Sequence, residues 1–108
     1  MVKIIFLINI SLFAHESLES TICKNTAGRI QIKKLQGQQY KISMPGKHKT
    51  WFSASPTVKD EFDPNIKQLF DTYRFKIEKH ELVIKRPETK GPIKKLRAFL
   101  DGKPYDCQ

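Results

Sequence analysis

The sequence predicts a small α+β domain: an antiparallel sheet with an N-terminal hairpin and one packed helix. Three observations predict it. Apolar residues alternate over 30–44, a helical stripe runs over 63–74, and alternation resumes from Phe75 towards Leu100. In the first stretch Ile30 and Ile32 alternate with Gln31 and Lys33, and Tyr40, Ile42 and Met44 with Lys41 and Ser43. Gln36-Gly37-Gln38 lies between the two runs, as a β-hairpin turn should. Pro45 to Pro56, with Gly46 and a proline at each end, reads as a loop.

The helix is expected to start at Asp63-Pro64, an acidic N-cap followed by proline at the first helical position. Ile66, Leu69, Phe70 and Tyr73 then fall at i, i+3, i+4 and i+7, with Lys67, Gln68, Asp71 and Thr72 on the other face. Val58 and Phe62 extend this helix by a turn on its N-terminal side. Phe75 and Ile77 form a strand, Lys79-His80 a turn, and Leu82-Val83-Ile84 a further strand. Ile93 to Leu100 fits either period. Gly91-Pro92 and Asp101-Gly102 bracket it tightly, which favours a strand.

The N-terminus carries a different signal. Met1-Val2-Lys3 is basic, and Ile4 to Ala14 is an uncharged apolar run. Eleven residues reach only about 16 Å as a helix, short of the ~20 residues that span a membrane. The pattern is that of a signal peptide, residues 1–14, with cleavage as late as Ser20 as the alternative. One secreted domain, 15–108, remains, with no second apolar stretch to anchor it, and it is expected to be a monomer. Its two cysteines, Cys23 and Cys107, stand near its two ends. In an oxidising compartment they should pair, closing a loop worth about 4.5 kcal/mol on the chain-entropy model.

The 108 residues carry 20 Lys plus Arg against 11 Asp plus Glu, a formal charge of +9. Loss of Lys3 lowers it to +8. Two cysteines exclude a four-cysteine zinc site, and there is no phosphate-binding glycine loop, paired-histidine metal motif or nucleophile elbow. No cofactor or metal is expected. RNA cleavage needs two proton-transfer groups and a cation. His48, Glu61 or Glu78, and Arg74 or Arg86 are the available types, and nothing in their spacing singles them out. No catalytic residue is therefore assigned. The basic clusters are more informative. Lys47, His48 and Lys49 stand directly before Trp51, and Lys94, Lys95 and Arg97 form a second group. Cations beside an aromatic suit phosphate contact with base stacking, so these seven are the candidate RNA- or partner-binding residues.

The layout resembles that of the RNase-like secreted effectors of powdery mildew fungi: a signal peptide, a cysteine near the new N-terminus, a hairpin, one helix, strands, and a terminal Lys103-Pro104-Tyr105-Asp106-Cys107-Gln108. The aromatic that this family carries two residues before its first cysteine is Thr21 here. The resemblance implies an RNase-like fold and a catalytically inactive virulence effector, translocated into host cells. Its expected partner is a host protein, such as an intracellular immune receptor, or host RNA, bound weakly and in a salt-sensitive manner. No histidine follows His80, so the C-terminal catalytic histidine of a fungal ribonuclease has no counterpart. The alternative function is an active small secreted ribonuclease or a cationic toxin.

Overall fold

The computed structural model describes residues 17–88 and 91–108, with His48 described by its backbone alone. The expected signal peptide lies outside the described residues. Nine strands follow in order: β1 (Thr21–Asn25), β2 (Gly28–Lys34), β3 (Tyr40–Met44), β4 (Lys47–Ala54), β5 (Thr57–Asp63), β6 (Gln68–Ile77), β7 (His80–Pro87), β8 (Arg97–Leu100) and β9 (Lys103–Cys107). All nine belong to one antiparallel sheet, ordered β4-β3-β2-β1-β9-β8-β7-β6-β5. The fold is therefore all-β, and the α+β, RNase-like expectation is wrong.

The difference lies in residues 57–77. Where a helix is expected there are two strands, β5 and β6, joined by the turn 64–67. The Asp63-Pro64 pair that reads as a helix start opens this turn instead. The Asn65 N–H donates to Asp63 Oδ1 at 2.9 Å, the same Asx chemistry that caps helices. The helical spacing is a coincidence of two buried faces. Tyr73, Phe75 and Ile77 point into the core, while Gln68, Phe70 and Thr72 on the opposite side of β6 are buried as well. Apolar residues of both parities then mimic a period of 3.6. Leu69, expected in the core, is 37 % exposed. The expected loop 45–56 is likewise corrected, since it contains β4.

The hairpin of β2 and β3 forms, with Ile32 opposite Ile42. The strands curl so that alternate residues meet inside. Ile30, Ile42, Tyr73, Phe75, Leu82, Ile84 and Tyr105 build the core with Cys23 and Cys107. Tyr40 and Phe75 meet edge to face, with ring centroids 5.4 Å apart. Leu18 lies over the same interior. Its N–H donates to the Tyr40 hydroxyl at 2.6 Å.

Two connections explain the curl. Eight antiparallel steps separate β4 from β5, so these edge strands run in the same direction. Only Ser55 and Pro56 join them, and three Cα steps reach at most about 11 Å. Residues 47–63 are thus one extended run that leaves β3 and takes up β6, and the sheet must bend into a half-barrel to allow it. On the other side, β1 pairs with β9 through only two residue pairs, Cys23 with Cys107 and Lys24 with Asp106. The first pair is the Cys23–Cys107 disulfide, with Cα atoms 3.9 Å apart. The bridge expected from the sequence is present, and it sits at the seam between the N- and C-terminal parts of the sheet.

The segment before β8 is clasped onto the outer side of β6. The Gln68 amide donates to the Ile93 carbonyl at 2.7 Å and accepts the Ile93 N–H at 3.0 Å. A Cβ on Gly91 would lie 2.3 Å from Gln68 Cδ, so this clasp needs glycine at position 91.

Candidate functional site

Because the inner residues of each strand are apolar, the alternate residues must face outward. Register then aligns them across the sheet. Arg29 stands opposite Lys24, Lys24 opposite Asp106, Asp106 opposite Arg97, Arg97 opposite Lys85, Lys85 opposite Thr72 and Thr72 opposite Lys59. This single row crosses seven strands, about 29 Å at 4.7–4.9 Å per strand. It holds five cations and one acid. None of the five makes an ion pair within 4 Å among the described residues.

Like charges directly opposite one another destabilise a sheet, and the row has two such pairs, Lys24 with Arg29 and Lys85 with Arg97. Aromatic faces accompany the cations. The Arg97 guanidinium lies 5.5 Å from the Phe99 centroid, and Lys85 Nζ 5.9 Å from that of Phe70. On the neighbouring strands Lys33 Nζ lies 5.0 Å from the Trp51 ring. Trp51 is 36 % exposed, so it is not a core residue. It occupies a wide bulge of β4, where residues 48–51 oppose Ser43 alone. Bulges re-aim side chains in this way.

The seven residues singled out in the sequence do not form one site. Lys47, Lys49 and Trp51 lie on β4, an edge strand, and the side chain of His48 is outside the described residues. Arg97 begins β8, five strands away, and Lys94 and Lys95 are exposed in the segment before it. Of the seven, only Arg97 belongs to the outer row. Sequence reasoning missed Lys24, Arg29, Lys59 and Lys85, which are scattered along the chain and meet only through register. Compared with family models, curated proteins and solved structures, the chain matches none.

Two further groups of charged residues sit at the ends of the half-barrel. At one end the carboxylates of Asp60, Asp71 and Glu88 lie within 4.8 Å of one another. Arg86 donates to Asp71 Oδ2 at 2.7 Å and to the Ser17 carbonyl at 3.4 Å, and it stacks 5.3 Å from the Tyr73 centroid. Burial pushes the Asp71 carboxyl up, but hydrogen bonding by Arg86, with Asp60 and Glu88 in the same group, outweighs burial and holds it below the usual value. At the other end His80 Nδ1 and Asp101 Oδ2 are 2.6 Å apart, and the Glu81 N–H donates to Asp101 Oδ1 at 2.9 Å. These bonds hold the Asp101 carboxyl low as well, the backbone bond from Glu81 most of all.

Proposed function

We propose that the protein is a secreted, non-enzymatic effector that binds host RNA across the outer face of its sheet. The observation that carries this reading is the row Arg29, Lys24, Arg97, Lys85 and Lys59, five cations against the single acid Asp106, none of them in an ion pair within 4 Å among the described residues. A polyanion laid along the row relieves its like-charge repulsion. Phe99 and Trp51 offer faces on which bases stack irrespective of sequence. The apolar start of the chain and the disulfide support passage through an oxidising compartment. What remains of the layout resemblance once the helix is removed, the apolar start and the cysteines near the two ends, is the support for a virulence role.

The test is binding of a labelled 20-nucleotide oligouridine by fluorescence polarisation at increasing salt. Neutralising five phosphates of a single strand gives a slope of log K against log salt of about −3.5. Affinity should therefore fall roughly a hundredfold between 50 and 200 mM. Lys85→Ala with Arg97→Ala should flatten the slope by about 1.4, while Lys67→Ala and Lys79→Ala, on turns at the two ends, should leave it unchanged. The oligonucleotide should be recovered intact. Salt-independent binding, or a slope indifferent to Lys85 and Arg97, defeats the proposal. Cleavage abolished by His80→Ala would replace it with the ribonuclease reading.

A further inference from the structure

Thr72 stands in the outer row between Lys59 on β5 and Lys85 on β7. It is the one hydroxyl residue of that row. Its side chain is fully buried, and Oγ1 makes no hydrogen bond among the described residues. A hydroxyl shut away from water without a partner is destabilising, and such orphans are rare in native folds. Register sets its neighbours on this face. Lys59 and Lys85 flank it across the strands, and Phe70 and Arg74 stand on either side of it along β6. The Arg74 guanidinium reaches diagonally past the Lys59–Thr72 pair to Glu61 Oε2 at 3.0 Å. Of the positions adjacent to Thr72 on this face, Glu61 is the single acid, and Arg74 engages it. Lys59 and Lys85 make no ion pair within 4 Å among the described residues, so these two cations are left in excess around the hydroxyl. Three of its four nearest neighbours are thus long cationic chains, which an anion attracts and which can lift to admit it.

We propose that Lys59, Thr72 and Lys85 form the seat for a phosphate monoester, the terminal phosphate of the strand that lies along the outer row. Two strand spacings, about 9.5 Å, separate Lys59 from Lys85, so their ammonium groups can close on one phosphate from opposite sides while the Thr72 hydroxyl donates from between them. A monoester brings about two negative charges and three acceptor oxygens at neutral pH, against a single charge on a backbone diester, and so matches both lysines. Because β5 is an edge strand, the row stops at Lys59, which is where the end of a bound strand belongs. The inference rests on the RNA reading for the source of the phosphate, and the seat itself is tested without RNA.

The experiment is a titration of the ¹⁵N-labelled protein with methyl phosphate at pH 7.5, followed by two-dimensional NMR. Saturable shifts should centre on the amides of residues 58–60, 71–73 and 84–86. Dimethyl phosphate, with one charge fewer, should bind at least about tenfold more weakly. Thr72→Val should weaken methyl phosphate at least about tenfold, since a hydrogen bond to a charged group is lost. It should keep or raise the melting temperature, since the orphan hydroxyl goes with it, and Thr72→Ser should restore the affinity. Lys59→Ala, at an exposed position of the edge strand, gives the same weakening and serves if Thr72→Val does not fold. A second arm compares 20-nucleotide oligouridines carrying a 5′-phosphate, a 3′-phosphate or neither. One phosphorylated strand should bind at least about tenfold more tightly than the hydroxyl form. Thr72→Val should abolish that advantage and leave the salt slope of the hydroxyl form unchanged, because it removes no charge. No shifts at 20 mM methyl phosphate, equal affinity for the two phosphates, an affinity indifferent to Thr72→Val, or equal binding of all three oligouridines would each overturn the proposal. Methyl phosphate seated at Thr72 in a protein that binds no oligouridine would overturn the RNA reading and the strand-end source together, and leave a small phosphorylated ligand in their place.

Discussion

Reducing the Cys23–Cys107 bridge should be the most damaging single change to this fold. The bridge closes a loop of 84 residues in sequence separation, which corresponds to about 4.6 kcal/mol of unfolded-state entropy at 25 °C. For a domain of this size each kcal/mol moves the melting temperature by about 4–8 °C. Calorimetry of the oxidised and phosphine-reduced protein should therefore differ by some 20–35 °C. Location matters as much as size. The β1–β9 ladder has two residue pairs, against eight between β6 and β7, so without the bridge the sheet is weakest along that line. Hydrogen exchange of the reduced protein should show the amides of β1 and β9 opening first. A loss below about 5 °C, or first opening between β6 and β7, would refute the view that the bridge holds the seam.

Other expectations follow from burial and charge. Phe70→Ala should cost about 3–5 kcal/mol and Leu69→Ala under about 1 kcal/mol, because the first ring is buried and the second side chain is substantially exposed; urea melts would show equal costs if the strand were misassigned. Trp51→Ala should leave thermal stability nearly unchanged and weaken oligouridine binding by about 1–3 kcal/mol. Arg86→Ala, which leaves the largely buried Asp71 beside Asp60 and Glu88 without its cation, should destabilise by about 3 kcal/mol in a denaturant melt. The Asp71 carboxyl is depressed on folding, so its contribution is complete above the ordinary aspartate value of 3.8 and is lost as pH falls through that value towards the lower, folded one. Between pH 5 and pH 3 the wild-type protein should lose more stability than Asp71→Asn, and equal losses would place the acid sensitivity elsewhere.

The sequence made the β2–β3 hairpin and the disulfide legible for different reasons. Ile30, Ile32, Tyr40 and Ile42 face a core on one side only, so their alternation is clean. Two cysteines allow one intramolecular pairing. The strands β5 and β6 were illegible because β6 is buried on both sides and because Asp63 makes the same bond at a turn as at a helix start. Propensity pointed the right way, since Thr72, Tyr73, Phe75 and Ile77 all favour strands, but the apolar spacing outweighed it. Lys47, Lys49 and Trp51 advertise themselves as a cluster through adjacency in the chain. Lys24, Arg29, Lys59, Lys85 and Arg97 do not, because pairing across seven strands is what assembles them, and register is a property of the folded sheet.

The order of the strands also has a kinetic meaning. Except at β1 and β9, every ladder joins strands that are consecutive in the chain, so two meanders, β1 to β4 and β5 to β9, can each form from local hairpins. Among the ladders, β1–β9 alone must bring together distant parts of the polypeptide, and its long search sets the slow step of folding. A circular permutant in which Gln108 is linked to the β1 end and the chain is cut between Ser55 and Pro56 would convert the sheet into an uninterrupted meander from β5 through β9 and β1 to β4. Stopped-flow refolding of that permutant should outpace the natural connectivity. What the natural chain gains from the slower arrangement is a covalent lock at the one ladder that joins strands not consecutive in its sequence.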